Sequence, residues 1–170
     1  MRAFLDANAG APPSEAVKEA VAKLLKDNLL NPSGHGELSK ALRDRIEDCR
    51  AQVANFFGAD PIEIVFTSGG SESINTAIAS AAAQHQGNVL FSGAEHPATI
   101  SAVQIHAQGR GLALPVDGNA LLKPFDAKGA ALVSALWANN EVGSINDVNA
   151  LDQACSAAGV TLHLDAVCAA

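Results

Sequence analysis

Four short stretches carry residues whose types and spacing could do chemistry. The first is V-F-T-S-G-G-S-E-S-I-N, from Val65 to Asn75. An apolar run gives way to two glycines and several hydroxyls, and a helical pattern follows. Glycines let a backbone turn tightly and approach a ligand. The first N–H groups of a helix have no intrahelical partners, and with the helix dipole they attract an anion such as a phosphate. A cap on a purely structural helix, supplied by Ser71, explains the same residues. The stretch alone leaves both readings open. It contains neither G-x-x-x-x-G-K-[ST] nor G-x-G-x-x-G, which disfavours nucleoside-triphosphate and dinucleotide sites.

The other three stretches each end an apolar run in a polar group. In F-S-G-A-E-H-P-A-T the group is His96. In A-L-W-A-N-N-E-V-G it is the pair Asn139 and Asn140, a common turn former. In V-T-L-H-L-D-A-V-C it is Asp165, a carboxylate that is costly in an apolar setting unless paired or functional. Each signal is ordinary alone. Four polar groups at the ends of four strands, all on one rim, point together to a ligand site.

The elements that must position these groups follow from periodicity. Helices are predicted over Pro13–Lys26, with Ala16, Ala20 and Leu24 on one face, and over Glu37–Phe57, with Leu38, Leu42, Ile46, Val53 and Phe57 recurring and Gly58 closing. A strand is predicted over Ile62–Thr67 and a helix over Ser71–His85, with Ile74, Ala77, Ile78 and Ala81 inward. Strands near Asn88–Ser92, Leu112–Val116, Ala131–Trp137 and Val160–Asp165 alternate with helices near Ala98–Gln108 and Val148–Ala158. Such alternation predicts an α/β fold: a mostly parallel sheet with helices on both faces, binding ligands outside the carboxyl ends of its strands.

Composition narrows the classes. A chain of 170 residues, 48% apolar, suits one domain or a large part of one. A net charge of −7 argues against nucleic-acid or anionic-membrane binding, which needs a basic surface. No stretch reaches the roughly 20 apolar residues of a membrane span, and the first residues lack the apolar core of a signal peptide. Cys49, Cys155 and Cys168 are odd in number and widely spaced, which disfavours a disulfide framework or zinc site and suits a reducing cytoplasm. The five histidines show no metal-ligand spacing, so no metal is expected.

Taken together, F-L-D-A-N-A-G-A-P-P, N-P-S-G-H-G, G-A-D-P-I-E-I-V-F-T-S-G-G-S-E-S-I-N, A-E-H-P-A, N-N-E-V-G and H-L-D-A-V resemble, in order and spacing, the amino-terminal part of the class-V aminotransferases in their cysteine desulfurase branch. The resemblance runs the whole length of the chain, and it implies pyridoxal 5'-phosphate as cofactor. Gly70 and Ser71 would hold its phosphate, and His96 would stack on its ring and take part in proton transfer. Asp165 would pair with the ring nitrogen, and Asn140 would lie near the ring's 3-oxygen and the substrate carboxylate. The implied fold is that of a fold-type I enzyme. Residues 1–170 would be an incomplete large domain with an amino-terminal helical segment over about 1–58, and the small carboxyl-terminal domain would be absent.

Three departures qualify the likeness. The family's Schiff-base lysine belongs past the position of Ala170, and none of Lys18, Lys23, Lys26, Lys40, Lys123 or Lys128 matches it. The cysteine that carries persulfide also comes from the family's carboxyl-terminal region. Cys168 stands where the branch has a glutamine that donates to the 3-oxygen, and a thiol is a weaker donor. Cys168 would sit near the cofactor as a packed, inert thiol rather than as the sulfur carrier.

The expected activity is that of a desulfurase, taking sulfur from L-cysteine to leave alanine and an enzyme persulfide, with this stretch inactive alone. Another class-V aminotransferase or a β-lyase is the alternative that Cys168 motivates. A non-catalytic binding or interaction module is the one that the missing lysine motivates. The resemblance further implies a homodimer at full length and a sulfur-acceptor protein, and the chain is expected to continue past Ala170. A parallel sheet left half covered there would favour association.

Overall fold

The computed structural model describes residues 3, 6, 10–27 and 30–169. Phe4, Leu5, Ala7, Asn8 and Ala9 of the opening motif lie outside them, as does Ala170. The chain divides into two compact units, Met1–Phe66 and Thr67–Ala170.

The first unit is helical. Ser14 caps α1 (Glu15–Lys26), its Oγ accepting from the Val17 N–H at 3.3 Å. Helix α2 (Glu37–Phe57) ends at Gly58, whose φ of +68° is a left-handed C-cap. Both helices form where periodicity and caps predict, but their apolar stripes are not buried. No residue of α1 is buried, and in α2 only Ser39 and Ala54 are, whereas Leu38 and Phe57 are each 61% exposed. Capping and pairs such as Lys40–Asp44 (2.7 Å) support these helices locally.

The strand expected over Ile62–Thr67 does not form. Pro61–Glu63 makes a 3₁₀ turn, and the Glu63 carboxylate returns to the Asp60 N–H at 2.8 Å. Arg50 Nη1 donates to the Ile64 carbonyl at 2.6 Å, and its guanidinium lies 4.9 Å above the Phe66 ring. Turn chemistry and this arginine engage the backbone that a ladder would need, so β-propensity loses.

The second unit is the α/β body: α3 (Gly70–Gln84), β1 (Val89–Ser92), α4 (Pro97–His106), β2 (Gly111–Leu114), β3 (Leu132–Leu136), α5 (Val148–Ala158) and β4 (Leu162–Asp165). The strands form one sheet in the order β2-β1-β3-β4, and every pair is parallel. Alternate side chains serve opposite faces. Val89 and Leu132 join Ile74, Ile78, Ala102 and Val103 under α3 and α4. Leu90 and Val133 join Ala127 and Cys155 on the α5 side. All of β3 is buried, as a parallel strand covered on both faces must be. Close packing also fixes Gly111, where an added Cβ would sit 2.3 Å from Val103 Cγ1 of α4.

Candidate functional site

The strand order sets the place of the site. From β1 the chain steps to β2 on one side, then returns to place β3 on the other side of β1. The loops that follow β1 and β3 therefore part, leaving a crevice outside their carboxyl ends. Such a switch point is where open α/β sheets bind ligands. A cavity of about 190 Å³ opens there, lined from the first loop by Glu95 and His96 and from the second by Asn139, Asn140 and Glu141.

Each loop folds for local reasons. Pro97 starts α4, and His96 is its N-cap, with Nδ1 accepting from the Ala98 N–H at 3.1 Å. That bond requires a lone pair on Nδ1, so the neutral ring carries its proton on Nε2. Asn139 makes the turn after β3. Its Oδ1 accepts from the Glu141 and Val142 N–H groups at 2.9 and 3.1 Å, and its Nδ2 donates to the Ala94 carbonyl at 3.3 Å. The first asparagine of the pair thus builds the loop, and the second, Asn140, lines the cavity.

Asp165 ends β4 in register with Leu136 of β3 and is only 6% exposed. Its Oδ1 accepts from the Val167 N–H at 3.1 Å, and no lysine or arginine pairs with it among the described residues. The start of α3 lies beside the same turn, since an added Cβ at Gly70 would stand 3.0 Å from Val167 Cγ2. The N-cap there is Gly69, at φ +153°, and no side chain caps it. Ser71 is therefore not the cap; it lies within the first turn, exposed. Glu72, also in that turn, accepts from the Ser68 N–H at 2.6 Å, and hydrogen bonds from Ser68 hold its carboxyl below the usual carboxylate range. Cys168 is exposed rather than packed. The inert thiol is Cys155, which is 1% exposed and whose pKa burial pushes up.

The crevice thus gathers His96 and Asn140, with Asp165 one strand over, while Gly70 meets the turn after Asp165. Ser71 and Cys168 are not part of the cavity lining.

Two residues escaped the sequence reading. Glu95 is 8% exposed; its Oε1 accepts from the Leu136 N–H at 2.7 Å, and burial pushes its pKa up to about 7. Asn146, also 8% exposed, donates through Nδ2 to the Leu136 carbonyl at 2.8 Å and accepts from the Leu122 N–H at 3.0 Å. The one signal for Glu95 was its place beside His96. Among the described residues, no group of three or more His, Cys, Asp or Glu could hold a metal ion, and no helix is long and apolar enough to cross a membrane.

Comparison with known proteins gives consistent matches. The family model for aminotransferase class-V matches residues 3–170. Cysteine desulfurase IscS of Dictyoglomus turgidum is 34% identical over 174 residues, covering 96% of this chain and 44% of that protein. A solved NifS-like protein superposes with a TM-score of 0.84 at 26% identity, over 97% of this chain and 49% of that one. The apo cysteine desulfurase of Thermococcus onnurineus gives 0.79 at 27% identity, over 94% and 42%. The chain spans a little under half the length of these relatives.

Proposed function

The chain belongs to the aminotransferase class-V family, and from that premise we propose that the whole protein is a cysteine desulfurase using pyridoxal 5'-phosphate. Residues 1–170 would supply part of its cofactor-binding large domain, with the helical segment over about 1–58 leading into it. The observation that carries the reading is the switch-point cavity lined by His96 and Asn140, with a buried carboxylate at the end of the neighbouring strand that no lysine or arginine pairs with among the described residues.

The residues present fit the cofactor. The uncapped start of α3 at Gly70 and Ser71 offers N–H groups and a hydroxyl to a phosphate. Asp165 offers a fixed negative charge to a protonated ring nitrogen. His96 and Asn140 give the cavity an Nε2–H donor and an amide. When bound, the cofactor supplies an electron sink for the charge left on a substrate α-carbon. The protein's own part is orientation. Asp165 is held by its bond from Val167 N–H, and His96 by its capping bond from Ala98 N–H. Asn139 fixes the loop that presents Asn140. The lysine and the sulfur-carrying cysteine we assign to the part of the relatives that lies outside the matched half. L-cysteine as substrate, a homodimer, a sulfur-acceptor protein and a reducing compartment such as the cytoplasm complete the proposal, the last supported by three unpaired cysteines. Cys168, exposed where the branch has glutamine, favours a second reading as another class-V aminotransferase or β-lyase.

Equilibrium dialysis of pyridoxal 5'-phosphate against the 170-residue chain tests the site. Asp165→Ala is expected to weaken binding about tenfold or more, as loss of a charge-assisted partner does. Equal affinity for both chains would remove Asp165 from the site. Alanine release from cysteine by the protein made from its native gene separates desulfuration from the second reading.

A further inference from the structure

Glu95 sits where three elements meet. Its Oε1 takes the Leu136 N–H across the crevice at 2.7 Å, joining the loop after β1 to the end of β3. Its other oxygen, Oε2, is fully buried and has no hydrogen-bond partner among the described residues; the same holds for Thr99 Oγ1 in the first turn of α4. The threonine hydroxyl faces the carboxyl, near enough to draw its pKa partly back down, though outside hydrogen-bonding geometry. Asp165, at the end of β4, adds a like charge. No lysine or arginine pairs with Glu95 among the described residues. A buried carboxylate with one bare oxygen beside a second carboxylate is a costly arrangement, whereas the neutral acid has an O–H to give and no repulsion to bear.

We propose that Glu95 is a positioning residue of this site. Its carboxyl fastens the turn that carries His96 to the end of β3, and in its neutral form it puts no second charge beside Asp165, a role that rests on the cofactor reading above. The titratable groups around it are Asp165 from β4, His96 on its own turn, and Glu141 from the loop after β3. Helix α4 presents Thr99 and β3 its backbone, so no cation faces Glu95 from either. Burial is the largest cause of the rise in its pKa to about 7, and the charge on Asp165 adds to it.

Two variants separate this role from mere packing. Glu95→Gln keeps an acceptor for the Leu136 N–H and stays neutral at every pH; Glu95→Ala removes the strut. In the cofactor-free 170-residue chain, the Glu95 carboxyl carbon, identified by its loss in E95Q, is expected to titrate near 7 by NMR. Dialysis at about pH 6.5 should find E95Q within about threefold of wild type for pyridoxal 5'-phosphate. E95A should be weaker by about tenfold, the effect of an orphaned buried group. A Glu95 midpoint near 4.5, E95A binding as wild type, or E95Q binding as badly as a folded E95A each overturns the proposal. If E95A does not fold, the E95Q affinity and the titration decide. A wild-type chain that binds no cofactor sinks the cofactor reading and the purpose given to Asp165. In that same sample a midpoint near 7 would still uphold the neutral strut, and one near 4.5 would sink it as well.

Discussion

Replacing Glu95 by glutamine should make the stability of the α/β body respond differently to pH, and the size of the change follows from the site. Burial pushes the pKa of the folded carboxyl up to about 7, against an ordinary value of 4.5. A group whose folded pKa lies above its unfolded one gives stability that is complete below the unfolded value and disappears as pH rises through the folded one. For Glu95 that window runs from 4.5 to about 7. At about 1.4 kcal/mol per tenfold, the rise corresponds to about 3 kcal/mol. Glutamine stays neutral throughout, so wild type and E95Q should match near the lower end of the window, and E95Q should lead by about 3 kcal/mol above its upper end. Urea unfolding of both chains at a series of pH values, followed by circular dichroism, reads this as a widening gap between midpoints. A gap constant across the window, or one that narrows as pH rises, refutes both the raised pKa and its cause in burial. Taking the difference between the two chains cancels titrating groups that Glu95 does not touch, including His163, whose half-buried ring is pushed the opposite way.

Two further substitutions probe the framework. Asn146→Leu should destabilise the chain by about 2–4 kcal/mol in the same urea assay, because it leaves the buried Leu136 carbonyl and the Leu122 N–H without their partner; a change under about 0.5 kcal/mol would show that water replaces the amide. Gly111→Ala should cost about 1–3 kcal/mol through its clash with Val103, and Val103→Ala in the same chain should recover part of that loss, a coupling that a double-mutant cycle reads directly.

Much of this fold is legible in the sequence because parallel strands buried on both faces must be short apolar runs, and the helices between them must carry a 3.6-residue period. The four strands of the sheet fall where those runs lie, and Asp165 stands out because a carboxylate ending such a run has no ordinary reason to be there. The Ile62–Thr67 run misleads for an equally physical reason. Its residues have the propensity of a strand, but Asp60, Pro61 and Glu63 specify a turn, and Arg50, far back in α2, occupies the Ile64 carbonyl. Glu95 and Asn146 are illegible for a different reason. Each sits in a polar loop where charged and amide residues are common, and only the return of β3 beside β1 encloses them. The helical periods of α1 and α2 match the helices that form, yet period tells which side is apolar, not whether anything covers it.

The strand order also governs how the α/β body comes together in time. Helices α3 and α4, and the β1–α4–β2 crossover, draw on residues close in sequence and close small loops. The β1–β3 pairing instead sets Val89 opposite Leu132, with the whole of α4 and β2 lying between them along the chain. Closing that longer loop costs entropy before any contact repays it, which slows folding. The crevice between β1 and β3 therefore takes shape only when the central strand docks. The bond from the Leu136 N–H to Glu95 becomes a marker of that event, and amide exchange at Leu136 during refolding would time it.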